Sequence, residues 1–211
     1  MPAYEFRYVG EVACFDLVNT AKWRDGQVLE EGLDDYDRVV EWAEGADVVS
    51  ASLAGDLREH AAAHPREARA ALAAVRDARR TLRDLFAALA AGGEPEALPA
   101  FNALLGEALG HLQIALTPPA ARGGARGGAW AWRGMRSGLD TLLWPVLWSA
   151  ARLLASGEAT AIRVCAGEDC GWTYVDRSRN GFRRWCEMET CGTREKSRRR
   201  AERARRATAR R

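Results

Sequence analysis

The 211-residue chain is 47% hydrophobic and 28% charged, which is ordinary for a folded protein and excludes disorder along its whole length. It is long enough for one large core and a small module, since domains usually hold roughly 100 to 150 residues. The formal net charge of +2 hides an uneven distribution: residues 1–160 contain 16 basic and 22 acidic side chains, whereas residues 194–211 contain ten and two. The front of the chain is acidic and its end is strongly basic.

The start of the chain and its most apolar segment give no indication of export or of a membrane partner. The first residues, MPAYEFRYVGEVACFD, lack the basic head and apolar block of a secretory signal. Segment 141–151, TLLWPVLWSAA, is far shorter than the roughly 20 residues of a membrane-spanning helix. We therefore expect a cytoplasmic protein whose thiols stay reduced.

Short elements are predicted for the first 64 residues. YEFRYVGEVACFDLVNTAKW is rich in aromatic and β-branched residues before a break at RDG, which indicates one or two short strands, or a strand leading into a helix. DDYDRVVEWAEGA predicts a helix ending near Gly45, and SASLAGDLREHAAAH predicts another. In the latter, His60 and His64 are four residues apart, but Pro65 ends the helix, so we expect both to be surface residues.

The longest predicted helix runs from Pro65 to Ala91, with proline in its first turn and glycines after its end. Its apolar residues recur along one stripe: Leu72, Val75, Leu82, Phe86 and Leu89. EPEALPAFNALLGEALG predicts a further helix, and HLQIALT and AWAWRGM predict a hairpin around the loop PPAARGGARGG. A last apolar helix is expected from about Gly138 to Ser156, with Pro145 as a kink or a first-turn residue. Residues 1–157 are thus predicted to form a mainly α domain with a few short strands (α+β).

Four of the five cysteines lie within 27 positions, as two pairs with four residues inside each: Cys165, Cys170, Cys186 and Cys191. If the segment between the pairs folds back, the four thiolates can surround one Zn²⁺ at about 2.3 Å. Two disulfides or four unrelated thiols are the alternatives, disfavoured by a reducing compartment and by the paired spacing. Four thiolates leave no position for a metal-bound water, so we expect one structural zinc ion without a catalytic role.

The remaining C-terminal segments suggest how this zinc site is built. GWTYVD has strand character and is followed by the turn signal RSRNG, so we expect a hairpin between the two cysteine pairs. A helix is expected to begin at the second pair, in CGTREKSRRRAERARR. Knuckle, hairpin and helix in this order predict a treble-clef-like zinc finger over residues 158–211 that continues into a basic C-terminal helix.

CGWTYVDRSRNGFRRWCEMETCGTREKSRRR closely resembles the CGNR zinc finger of bacterial proteins, and FDLVNT followed by EWAEGA is similar to the start of the ABATE domain that precedes it. The resemblance covers nearly the whole chain. It implies a stress-induced, DNA-binding transcription regulator rather than an enzyme, with an N-terminal domain that senses a ligand or partner. The motif's asparagine is Thr193 here; threonine can cap a helix but disfavours positive φ, so a capping role is favoured over a turn.

Residues 194–211 contain no apolar side chain larger than alanine and cannot build a core. Arginine matches phosphate oxygens, so a helix that carries arginines from a metal-bound base can lie along DNA or enter a major groove. The expected DNA contacts are Arg183, Arg184, Arg194, Lys196, Arg198, Arg199, Arg200 and Arg203. The alternatives are a zinc-stapled RNA- or protein-interaction module with a general polyanion-binding tail, or a small-molecule enzyme fused to a finger.

Two further groups of residues are candidates for binding. Asp16, Asn19 and Thr20 of FDLVNT are polar groups among apolar ones, which can line a pocket for an unknown small molecule or protein, or satisfy the backbone. The finger's aromatic residues can stack on bases, but so small a module needs aromatic side chains for its own core. We expect the core role for Trp172, Tyr174, Phe182 and Trp185.

Overall fold

The computed structural model describes residues 4–117 and 126–208. The helices of this part are α1 (Ala13–Val18), α2 (Tyr36–Gly45), α3 (Ala51–Ala63), α4 (Pro65–Ala91), α5 (Leu98–Leu109), α6 (Leu143–Ala155) and α7 (Thr193–Thr208). Its strands form three antiparallel pairs: β1 (Ala21–Arg24) with β2 (Gln27–Glu31), β3 (Leu112–Leu116) with β4 (Gly128–Trp132), and β5 (Ile162–Val164) with β6 (Thr173–Val175). The predicted mainly helical fold with a few short strands is confirmed. No helix in these two ranges is long and apolar enough to cross a membrane.

The N-terminal segment differs in order from the prediction, because helix α1 comes before the strands. Strands β1 and β2 are joined at Asp25 and Gly26, whose φ values are 49° and 75°. Positive φ at both central residues is the geometry of a tight hairpin turn, which glycine adopts without strain. The RDG break is therefore the turn of a hairpin that follows the helix.

Residues 1–157 are called the front domain below. Helix α4 is its central element and packs against α1, α2, α3, α5 and α6. It has the predicted bounds, and Gly92 ends it in the left-handed conformation with φ 69°. Val75, Leu82 and Phe86 of the predicted stripe are completely buried. The Phe86 ring lies 4.8 Å from the ring of Phe15, measured between centroids, so α1 is held directly on α4.

The other front-domain helices follow the predicted pattern, with local differences. Asp35 and Ser50 cap α2 and α3 by accepting bonds from Arg38 N and Leu53 N. Helix α6 begins several residues later than expected, and Pro145 lies in its first turn, where a missing N–H costs no helical bond. The hairpin β3–β4 forms as predicted, but most of its loop, residues 118–125, lies outside the described residues.

The C-terminal module contains a hairpin in a different place from the one predicted. Strand β6 pairs with β5, so the hairpin encloses the first cysteine pair instead of separating the two pairs. After β6 the Asp176 carboxylate accepts bonds from the backbone N–H groups of Ser178 and Arg183, both at 2.9 Å. These bonds fold the RSRNG segment into an irregular loop, which pairs with no strand in the described part of the chain. A single wide helical turn, Met188–Gly192, then leads into α7.

Candidate metal centre and nucleic-acid interface

Two loops bring the four predicted cysteines together. Cys165 follows β5 and Cys170 precedes β6, whereas Cys186 and Cys191 lie between the irregular loop and α7. The Cys186 sulfur is 3.6 Å from the sulfurs of both Cys170 and Cys191, and the four sulfurs all lie within 4.8 Å of one another. Bonds of about 2.3 Å to a tetrahedral zinc ion require sulfurs roughly 3.8 Å apart. The four buried thiols therefore fit one zinc ion.

The competing disulfide interpretation does not fit this geometry. The cysteines are all free, and the 3.6 Å separations are far longer than the roughly 2.05 Å of an S–S bond. The fifth cysteine, Cys14, is completely buried in the front core, and burial raises its pKa to about 12. Cys14 is thus an inert small side chain, while the other four share one centre.

The protein around the centre supports the cysteine loops. Gly167 N lies 3.5 Å from the Cys165 sulfur, as an N–H donor to it. A Cβ at Gly167 would lie 3.3 Å from the Cys170 Cβ and 3.4 Å from the Cys191 sulfur, so glycine allows the knuckle to pass close to the centre. The Arg183 guanidinium donates to the carbonyls of Trp185 and Cys186. It lies 4.5 Å from the Tyr174 ring centroid. Arg183, a predicted DNA contact, is therefore engaged in holding the second cysteine loop.

The finger is docked on the front domain through the FDLVNT segment. The Asn19 amide donates to Thr173 O at 3.0 Å and accepts from Thr173 N at 2.9 Å, so it pairs with β6 as a neighbouring strand would. The Trp172 indole donates to Ala21 O at 3.0 Å, and Trp23 N donates to Cys170 O at 3.0 Å. These buried bonds connect α1 and β1 directly to the cysteine knuckle.

The two other FDLVNT candidates also bond within the protein. Asp16 accepts from Gly10 N at 2.9 Å, and burial raises the pKa of its carboxyl to about 6. Thr20 Oγ1 donates to Leu17 O at 2.7 Å and accepts from Arg79 at 3.0 Å. A ligand role for Asp16, Asn19 and Thr20 stays a prediction, and these contacts favour the alternative of satisfying the backbone.

The basic residues of α7 fall into two groups. Glu195 is 8% exposed and forms ion pairs with Arg198 at 2.8 Å and Arg199 at 2.7 Å. Arg198 also pairs with Glu202 at 2.6 Å. Within the described residues, several exposed cations of the helix form no ion pair: Arg194, Lys196, Arg200, Arg203, Arg205 and Arg206. Four of the six predicted contacts in α7, Arg194, Lys196, Arg200 and Arg203, are thus free to meet another molecule.

Lys196, Arg200 and Arg203 are spaced by four and three residues, so they form one stripe along α7, called the basic stripe below. The ion-paired Glu195 group occupies a different side of the helix. On that side Arg198 reaches Glu168 of the cysteine knuckle at 3.9 Å. The basic stripe therefore lies outside the ion-paired side of α7 that contacts the finger.

The aromatic residues of the finger do not all behave as predicted. Trp172 and Tyr174 are 6% and 1% exposed, and Trp185 packs half-buried against the same cluster, which confirms their core role. The prediction was wrong for Phe182, whose side chain is 82% exposed. The bonds to Asp176 hold its neighbour Arg183 inward and leave Phe182 at the surface of a polar loop. Arg184, two residues further along the chain, is also exposed, and its guanidinium lies 5.2 Å from the Trp185 ring centroid.

Thr193 has helical backbone angles, φ −69° and ψ −42°, and its hydroxyl donates to Met188 O at 3.1 Å. The position requires no left-handed conformation. Threonine therefore carries no backbone penalty here and fastens the wide turn to the first turn of α7.

A closed four-cysteine centre with a helix leading out of it defines the class: this is a zinc-finger protein. Residues 161–206 match the CGNR zinc finger family, and residues 11–157 match the ABATE family, described as "Putative stress-induced transcription regulator". The chain belongs to the ABATE family, and its C-terminal module is a CGNR zinc finger that holds one zinc ion. Both families are regulator or zinc-finger types rather than enzyme families. No curated protein matches the chain.

Proposed function

We propose that the protein is a DNA-binding transcription regulator of the bacterial cytoplasm. Residues 158–211, the zinc finger and basic helix, contact DNA, and residues 1–157 bind an effector under stress. The observation that carries this proposal is the basic stripe, which is unpaired within the described residues and projects from a metal-held base. The reducing cytoplasm keeps the four thiols available for zinc.

A positioned helix differs from a solvated basic tail in what it can recognise. Helix α7 has 16 residues and is about 24 Å long, enough to cross a major groove about 12 Å wide. Its first turn is fixed by the cysteine centre and by the buried Glu195. Lys196, Arg200 and Arg203 therefore share one direction, which suits a duplex whose phosphates and base edges have fixed positions.

Phe182 supplies a second contact surface on the same module. An exposed aromatic side chain flanked by cations can stack on a base or wedge between base steps while the cations meet phosphates. Arg184 provides such a cation, whereas Arg183 is occupied by carbonyl oxygens. The contacts thus favour Arg184 over Arg183 as a direct DNA contact.

DNA binding is tested with the zinc-loaded full chain and a pool of random duplexes. We expect selection to enrich one sequence family, and its binding to survive a heparin excess that removes non-specific complexes, because base contacts add to the phosphate contacts. Equal binding of all duplexes and of heparin would support the general polyanion binder instead. Stronger binding of single-stranded RNA would support the RNA-interaction alternative.

The effector site that we propose is a groove between α4, α5 and α6 with a volume of about 500 Å³. This is within the range of small-molecule pockets. Its walls are apolar, with Leu104, Leu143, Leu147 and Trp144, and the Trp144 ring is held by stacking on His111 with centroids 3.9 Å apart. Three exposed carboxylates also line it: Asp77, Glu107 and Asp140.

The charge of this groove selects the class of effector. None of its three carboxylates forms an ion pair within residues 4–117 and 126–208, and no basic residue of that part is among the lining residues. An apolar groove with an uncompensated negative rim suits a small hydrophobic cation. An effector in this groove would contact α4 and α6, and both helices also pack against α1. Helix α1 belongs to the FDLVNT segment that docks the finger.

Binding of a cationic dye such as rhodamine 6G, measured by fluorescence anisotropy, tests the groove. We expect Glu107→Gln with Asp140→Asn to weaken binding at least tenfold, because two attractive charges are removed. Glu94→Gln, outside the groove, is the control and should leave binding unchanged. Tighter binding of an anionic dye of similar size, or no difference between the double variant and the control, would contradict the proposal.

A further inference from the structure

The junction of α3 and α4 brings together three side chains that can bind a metal. Pro65 ends α3, as the sequence indicates, but it also begins α4, and the chain reverses around His64. Glu67, in the first turn of α4, then returns to His60, with 3.0 Å between its Oε2 and the His60 Nε2. The rings of His60 and His64 stack with centroids 4.3 Å apart.

The backbone contact of His64 determines its tautomer, that is, which ring nitrogen carries the proton. Its Nδ1 lies 3.0 Å from the carbonyl oxygen of His60. A carbonyl oxygen only accepts hydrogen bonds, so Nδ1 carries the proton and, in the neutral ring, Nε2 keeps a free lone pair. Donation from one ring nitrogen to a backbone carbonyl is the usual way in which a metal-binding histidine is oriented. The turn thus prepares His64 Nε2 as a ligand.

We propose that His60, His64 and Glu67 form a second metal site, separate from the cysteine centre, for Zn²⁺ or a similar first-row divalent ion. One donor atom of each residue lies within 4.8 Å of the others, so small side-chain rotations bring all three to bonding distance. Two imidazoles and one carboxylate are a ligand set that binds zinc and leaves a fourth position for water or another ligand.

A metal ion in this site can exchange with solvent more readily than one in the buried cysteine centre. The side chains of His60 and Glu67 are 39% and 59% exposed, so an ion can enter and leave from solvent. Bound metal would fasten the start of α4 to the end of α3, at the opposite end of α4 from Gly92. Free metal would therefore stabilise the junction of α3 and α4, at a site separate from the groove between α4, α5 and α6.

Calorimetric titration of Zn²⁺ into zinc-loaded full-length protein without a histidine tag tests the site. We expect one additional equivalent per chain, lost in His60→Ala and in His64→Ala and bound at least tenfold more weakly by Glu67→Gln. Glu59→Gln removes an equal charge at the exposed position next to His60, and this variant should bind zinc like the wild type. In NMR spectra the ring signals of His60 and His64, but not those of His111, should shift on zinc addition.

Two results would overturn the proposal. One is the absence of an additional equivalent in the wild type, which would leave His60 and Glu67 as a hydrogen-bonded pair only. The other is an additional equivalent retained by both histidine variants, which would place the zinc elsewhere. Because all three substitutions are at exposed or half-exposed positions, unchanged thermal melting of the zinc-loaded protein before zinc is added shows that the fold is intact in each variant.

Discussion

Cys186→Ser is expected to lower the zinc content from one ion per chain to none and to unfold the C-terminal module. The binding free energy of a structural zinc ion, about 10 to 16 kcal/mol in finger peptides, is also the folding free energy of the module. Besides the cysteines the module buries few apolar side chains, namely Ile162, Trp172, Tyr174 and Val175, with Trp185 partly buried. Metal analysis and limited proteolysis after residue 157 measure the two effects.

The matched control for this experiment is Cys14→Ser. It makes the same chemical change at a completely buried thiol of the front core, where Cys14 has no part in the zinc centre. Zinc content near one per chain is expected in this control even if the front domain is less stable. Wild-type protein that is free of metal but resists proteolysis in residues 158–211 would show that zinc does not hold the module.

Features fixed by local sequence rules could be predicted in detail. The bounds of α4 follow from proline in its first turn, glycine after its end and a single apolar stripe, all of which are local. The four zinc ligands follow from their spacing, because two close cysteine pairs on short loops can surround one ion. Each of these signals lies within a few residues of the structure that it determines.

Features that depend on which groups form specific hydrogen bonds could not be predicted. Strand β6 pairs with β5, and the amide of Asn19 bonds the backbone N–H and carbonyl of Thr173, 154 residues away in sequence. The polar residues of FDLVNT indicated binding to a ligand or to the backbone, but the sequence did not show which backbone groups they would bond. Likewise, the exposure of Phe182 depends on the bonds to Asp176, which a hydrophobicity pattern does not contain. Specific hydrogen bonds between particular backbone and side-chain groups decided each of these cases.

Replacing Lys196, Arg200 and Arg203 together with glutamine is expected to weaken duplex DNA binding by roughly 100- to 1,000-fold at 0.1 M salt. Each phosphate contact contributes about 0.9 to the slope of log K against log salt, so three lost contacts lower the slope by about 2.7. Glutamine has nearly the helix propensity of arginine and lysine, so α7 should remain helical. Anisotropy titrations of one labelled duplex between 0.05 and roughly 0.3 M salt give both quantities.

The control must remove the same charge from elsewhere on the surface. Arg66, Arg69 and Arg152 of the front domain are exposed and form no ion pair within the described residues, so their replacement with glutamine matches the change in net charge. If the basic stripe contacts DNA directly, this control should leave the slope unchanged. Replacing Arg198 and Arg199 should have a smaller effect per residue, because phosphates must compete with Glu195 for them. Equal losses in the stripe variant and the front-domain control would mean that net charge, rather than a positioned helix, governs binding, and would favour the polyanion-binding alternative.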